Sequence, residues 1–441
     1  MPPVFFAAFF KMKKNTFIVI IGIFLLITSA WADDKDSEMS LALSKLEKDK
    51  AMEQDLKQAK KQEAVRIAFN DEYSLGEDRL DKFLRYLHPY LEVETKYEDN
   101  IYLTTYRKSD IVNTYTPGIK FISLSEDNDL RIDTGAKLTY YYHTWWNNTQ
   151  NPFANIVWNK KFGRNYIKLS EQFKYDFQAS SNISVDTPGF IGYQYNLVDV
   201  RVGRELNRFS LEPGYRKQEY FYRKGNKQNN SYNETLWIMT GYYHFTPKTS
   251  LLFEYNHGIV VYPLKPTPSK DNKYEQFWFG LKGDITPKIN GVMKYGYQFR
   301  KFTNRQYLEK PVIGFDLNYQ FKERTNFLLK LKKTPDQTSY YDQNYYETSR
   351  MDLGIAHKFA FNPKLAFNMD SFYEYDNYPS PQTVAQKKRL DSLFGIKGAL
   401  KYDLQRWFSV LFCYEWKERD SNTDLYDYVD HIISAKLVGS F

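Results

Sequence analysis

Apolar and polar residues alternate one by one along most of this chain beyond residue 86. Met293, Tyr295, Tyr297 and Phe299 interleave with Lys294, Gly296, Gln298 and Arg300. The next run sets Ile313, Phe315, Leu317, Tyr319 and Phe321 against Gly314, Asp316, Asn318, Gln320 and Lys322. Leu365, Phe367, Met369, Tyr373 and Tyr375 then alternate with Asn368, Asp370 and Glu374. A period of two belongs to a strand with one face in an apolar medium and the other in a polar one.

From Tyr86 onward such runs recur about every 20 positions, parted in turn by tight turns and longer polar loops. The tight turns carry Pro, Asn, Gly and charge: Ser125 to Asn128, Phe162 to Asn165, Leu206 to Arg208, Thr246 to Thr249, Thr286 to Ile289, Phe361 to Lys364 and Leu404 to Arg406. The longer loops are Trp145 to Pro152, Ala179 to Gly189, Arg223 to Ser231, Pro263 to Lys273, Thr334 to Tyr345 and Asn377 to Lys388. A strand of about 9–11 residues crosses a bilayer. Short turns at one end and long loops at the other are the arrangement of a transmembrane barrel, with the short side periplasmic. The pattern predicts an all-β, antiparallel transmembrane barrel of about 18 strands over residues 86–441, or 16 if one hairpin is miscounted.

Parity assigns the faces. A Lys or Arg at the bilayer midplane costs about 2–4 kcal/mol, so the apolar set faces lipid and the charged set faces the lumen. The predicted pore-lining residues include Arg131, Lys137, Lys174, Lys282, Lys294, Arg300, Asp316, Lys330, Arg350, Asp352, Asp370, Glu374, Lys397, Glu415 and Lys436, with Lys168 and Arg216 on the same parity. Two readings of this lining stand side by side. It tunes the passage of anionic solutes or acidic glycans, or its opposite charges pair between neighbouring strands. Inward Tyr141, Tyr220, Tyr222 and Phe372 are placed to stack on sugar rings, whereas Tyr140, Tyr142, Trp145 and Trp146 suit an interfacial girdle.

Composition fits the same picture. Aromatic residues make up 18% of the 441-residue chain, with Tyr 38 and Phe 33, yet 26% of positions are charged. That mixture is odd for a soluble core and natural for a barrel wall with aromatic belts. The net charge of +8 is spread out, without the continuous basic, aromatic-studded patch that binds nucleic acid. Cys413 is the single cysteine, and no metal-ligand spacing is present. Neither a metal nor a cofactor is expected.

The first 32 residues read as a signal peptide. Lys13 and Lys14 precede the apolar run from Phe17 to Ile27, and Ala30-Trp31-Ala32 offers a cleavage site; Met12 is an alternative start. Residues 33–75 are charged and free of proline through Asn70, and they predict a mostly solvated periplasmic helix or leader. Within it, 33–70 is a candidate arm for a periplasmic export partner, or a partial plug.

Two resemblances add to this. The final alternation of Val429, His431, Ile433, Ala435, Leu437, Gly439 and Phe441 resembles the last strand of outer-membrane barrels. In those proteins the terminal aromatic is the signal read by the barrel-assembly machinery, although Gly439 replaces the usual bulky residue. Tyr97-Glu98-Asp99-Asn100-Ile101-Tyr102, then Ser109-Asp110 and Thr116-Pro117-Gly118, resembles the opening hairpin of the putative β-barrel porin 2 family, with Glu98 where Asp is commoner. The resemblance marks Tyr97, Asp99, Asn100, Pro117 and Gly118 as motif residues. It implies an outer-membrane porin-like channel embedded in lipid and lipopolysaccharide, and, through members found in exopolysaccharide or capsule clusters, an export pore.

The alternatives are a general or anion-preferring nutrient porin, a non-conducting structural or adhesive barrel, and an outer-membrane hydrolase. The six histidines are dispersed, and no Gly-x-Ser-x-Gly, P-loop or His-Glu-x-x-His motif occurs. An enzyme is therefore not expected.

Overall fold

The computed structural model describes residues 86–179, 189–223, 225–264, 269–338, 344–381 and 388–440. The predicted signal peptide over 1–32, the predicted helix or leader over 33–75 and the terminal Phe441 lie outside the described residues. Eighteen strands run in chain order: β1 Leu87–Glu98, β2 Asp110–Leu124, β3 Asn128–Tyr141, β4 Thr149–Phe162, β5 Asn165–Ala179, β6 Phe190–Leu206, β7 Phe209–Tyr222, β8 Tyr232–His244 and β9 Thr249–Val261. The second half comprises β10 Asn272–Thr286, β11 Ile289–Phe302, β12 Tyr307–Lys322, β13 Thr325–Gln337, β14 Tyr345–Lys358, β15 Leu365–Pro381, β16 Lys388–Gln405, β17 Phe408–Ser421 and β18 Tyr428–Ser440. The larger of the two predicted counts is the correct one.

Each strand pairs antiparallel with its neighbours in sequence, and β1 pairs with both β2 and β18. The closing register runs from Tyr90↔Ser440 to Glu98↔Ile432. Closure pairs the first strand with the last, so neither end of the sheet presents an open edge to lipid. Among the described residues the helical segments are 3-10 turns: Trp145–Asn147, Gly225–Asn230 and Asp424–Tyr426.

Strand ends differ from the sequence reading in a few places. Residues 149–152 belong to β4 and 334–337 to β13, where loops were expected. A tight turn at Glu323-Arg324 joins β12 to β13 and carries neither proline nor glycine, so composition did not flag it. Elsewhere the turn chemistry matches its geometry: Gly163 takes φ 63° and Asn207 φ 50°, left-handed conformations that these residues tolerate.

The outer face is apolar, with Trp237, Phe253, Phe279, Phe412 and Ile433 all more than half exposed. The inner face is polar and crowded: Gln298, Arg300 and Asp430 are buried. Directly opposed residues share a face of a sheet. Chains such as Asp316↔Lys330↔Asp352 therefore carry one charged face around the ring.

One stretch of the wall departs from regular pairing. β12 and β13 are paired only from Ile313↔Lys333 to Lys322↔Thr325. Beyond that, β12 continues to Tyr307 beside β11 alone, and β13 continues to Gln337 beside β14 alone. Pro311 and Pro335 sit in the two unpaired segments, and neither can donate a ladder hydrogen bond.

Candidate functional site

Past this seam the β13–β14 hairpin turns into the barrel. Residues of its lipid-facing parity land on the inner face of β10–β12. Tyr345 stacks on Phe302 at 5.6 Å and 23°, with Leu308 completing a buried cluster. Lys310 Nζ reaches Glu347 Oε1 at 3.0 Å, and Asn344 donates to Gln306 at 2.7 Å. The Arg300 guanidinium donates to the Pro335 carbonyl at 3.2 Å. That carbonyl lies on the segment with no β12 partner, so Arg300 fills the place of the missing strand.

The hairpin's other face meets both sides of the lumen. A cavity of about 300 Å³ is lined by Tyr220 and Tyr232 of β7 and β8, Thr338 and Tyr346 of the hairpin, and Glu374, Tyr378 and Arg419 of β15–β17. Tyr346 stacks on Tyr378 at 5.2 Å. On the opposite side Tyr193, Tyr220 and Tyr232 form a stack, with centroids 4.7 and 5.8 Å apart. Residues eight strands apart around the ring thus line one cavity with Thr338 and Tyr346 of the hairpin.

Every predicted lining residue lies on the inward parity, and most are paired. Ion pairs join Arg131 to Asp129 (2.9 Å), Lys174 to Asp176 (3.8 Å), Lys294 to Glu254 (3.1 Å), Lys330 to Asp316 (3.9 Å) and Lys397 to Glu415 (3.6 Å). Arg350 holds both Asp352 (2.6 Å) and Glu374 (2.9 Å) and lies 4.2 Å above the Phe372 ring. Lys436 pairs with Glu92. Lys137, Lys282, Arg300 and Asp370 have no ion pair among the described residues.

The parity list missed the inward charges of β1 (Glu92, Glu94, Lys96 and Glu98) and of β6 and β7 (Asp199, Arg201 and Glu212). Their signal was in the sequence. Val198, Val200 and Val202 alternate with Asp199 and Arg201 in the same way as the runs that were recognised.

The motif residues are structural at the rim and wall. Asn100 is fully buried; its amide nitrogen donates to the Thr104 and Val429 carbonyls, and its oxygen accepts the Thr104 amide. Asp99 accepts the His431 amide (2.7 Å) and Arg107 (2.9 Å), which ties the 99–109 loop to β18. Asp110 accepts the Thr144 amide and hydroxyl at 2.8 and 2.6 Å. Gly118 is bare because the Tyr90 ring lies over it: a Cβ there would sit 2.4 Å from the ring. Tyr97 points outward and is half exposed. In the rim loop before β18, burial holds the Asp427 carboxyl above the ordinary carboxylate range; its bond from the Ser421 amide opposes that shift, while Asp420, Asp424 and Asp391 reinforce it.

A family model described as putative beta-barrel porin 2 matches residues 82–441. Among solved structures, the chain is similar to OpdK of Pseudomonas aeruginosa with vanillate, at 11% identity over 81% of this chain and 100% of that one, TM-score 0.45. It is also similar to OccK2 (OpdF) of the same organism in complex with glucuronate, at 10% identity over 81% and 99%, TM-score 0.45. OccAB3 of Acinetobacter baumannii matches at 11% identity over 80% and 99%, TM-score 0.42. No curated protein matches the chain.

Proposed function

The chain belongs to the putative beta-barrel porin 2 family and is a porin-like outer-membrane barrel, and from that we propose a solute channel whose width and selectivity are set by the inward β13–β14 hairpin. One observation carries this reading: Thr338 and Tyr346 of the hairpin line a single cavity with residues from opposite sides of the ring. A barrel of 16–18 strands leaves an aqueous lumen unless something occupies it. Here the occupant is a polar and aromatic element of the wall itself. Single-channel recording of the purified full chain in planar bilayers tests the reading. Discrete conductance steps are expected, and a silent bilayer with correctly folded barrel would overturn it.

A second reading, export of an exopolysaccharide, draws on the family resemblance and on the tyrosines that line the cavity beside the hairpin, Tyr220, Tyr232, Tyr346 and Tyr378, since sugar rings pack on aromatic side chains. Current interruptions that lengthen with oligosaccharide chain length support export; indifference to chain length leaves the small-solute channel.

A further inference from the structure

Charges on the inner wall are grouped, and the groups differ in stoichiometry around the ring. Glu212 is buried and accepts Lys168 Nζ at 2.7 Å. It also accepts the hydroxyls of Tyr166 at 2.8 Å and Tyr242 at 3.4 Å. The Tyr242 hydroxyl in turn accepts Lys282 Nζ at 3.3 Å. Nearby, Asp199 takes Arg201 through both oxygens (2.8 and 3.2 Å) and Arg216 at 2.7 Å. Asp199 therefore serves two cations, whereas Glu212 holds Lys168 directly and meets Lys282 only through the Tyr242 hydroxyl. On β14 and β15 the ratio is inverted, with Arg350 held between Asp352 and Glu374.

The two cation-rich groups and the balanced Lys294–Glu254 pair line one cavity of about 470 Å³, in which cations outnumber carboxylates five to three. Lys168 and Lys282 each stand 4.7 Å above a tyrosine ring, Tyr166 and Tyr242 respectively. Such contacts hold an ammonium in place without neutralising it. Lys282 spends one donor on a neutral hydroxyl, and an ammonium has three. Uncompensated positive charge in a partly desolvated wall attracts a counter-ion more strongly than it would in open water.

We propose that this cavity is a binding subsite for an oxyanion, the carboxylate or phosphate group of a small solute, with Lys282 and Arg216 as its donors. Lys282 has no carboxylate to release among the described residues, and Asp199 keeps Arg201 when Arg216 turns to the solute. The subsite rests on the channel reading and gives it a substrate class.

The test is isothermal titration of the full chain in detergent with citrate, and with glucose as a neutral control, alongside bilayer recording. Wild type is expected to bind citrate, less tightly as salt rises, and not glucose. Lys282→Gln should weaken citrate binding about tenfold, while Lys282→Arg, which keeps the charge, should retain most of it. Both variants must show the gel mobility shift on heating that marks a folded barrel, so that a folding defect is not read as lost binding. Equal citrate affinity in wild type and Lys282→Gln, or no citrate binding by wild type, overturns the subsite. Citrate binding without conductance removes the channel and keeps the subsite; conductance without citrate binding does the reverse.

Discussion

Tyr90 on β1 donates its hydroxyl to Asp133 on β3 at 2.9 Å, reaching over β2 where Gly118 has no side chain. The contact spans three adjacent strands next to the closing seam of the barrel. Gly118→Ala should cost about 1–3 kcal/mol, the usual penalty for forcing an extra group into a filled space. Tyr90→Phe keeps the ring and removes only the hydrogen bond, so about 0.5–1.5 kcal/mol is expected. Urea titration of folded barrel in lipid vesicles measures both, and the order of the two losses is the discriminating result.

Arg300→Ala should widen the channel. It removes the donor that holds the Pro335 carbonyl and leaves the hairpin tip attached through β14 and the Tyr345–Phe302 stack. Single-channel conductance is expected to rise, with noisier open levels. An unchanged conductance would put the narrowest point elsewhere in the barrel.

Asn100→Ala should loosen the 99–109 loop without unfolding the barrel. Three hydrogen bonds depend on that amide, two of them within the loop and one to Val429. Leaving such buried groups unpaired costs about 1–3 kcal/mol. Faster hydrogen exchange at the Thr104 amide, with unchanged exchange in mid-strand amides, is the expected outcome.

The two faces should respond differently to charge. Tyr295 is outward and 54% exposed, and Tyr295→Arg should cost about 2–4 kcal/mol if it lies near the bilayer midplane. Lys330→Gln alters an inward pair with Asp316 that is open to solvent, 3.9 Å apart. Pairs of that kind contribute about 0–1 kcal/mol, so stability should hardly move while the reversal potential under a salt gradient shifts toward cations. Refolding titrations and bilayer recordings together check the contrast.

The strands and faces were legible because each residue's orientation follows from its parity alone. Met293 to Arg300 announces a two-faced strand without knowledge of any neighbour. The hairpin constriction was not legible in the same way. Thr334 to Gln337 reads as polar loop, and it becomes strand because β14 offers it a partner. Its inward turn depends on an absent pairing with β12, which no local pattern records; Pro311 and Pro335 are its trace in the sequence. Nor could parity show that Asp199 would hold two arginines while Lys282 meets only the Tyr242 hydroxyl, since stoichiometry depends on which strands become neighbours in the closed ring.

The seam between β12 and β13 also limits how such a constriction can change over generations. The hairpin arms are continuous with the wall, so inserting one residue between Lys333 and Pro335 would swap the faces of the β13 arm from Pro335 to Gln337. Drift in permeability must therefore proceed by exchange of side chains along the arms, while length variation is confined to the tip between Thr338 and Asn344.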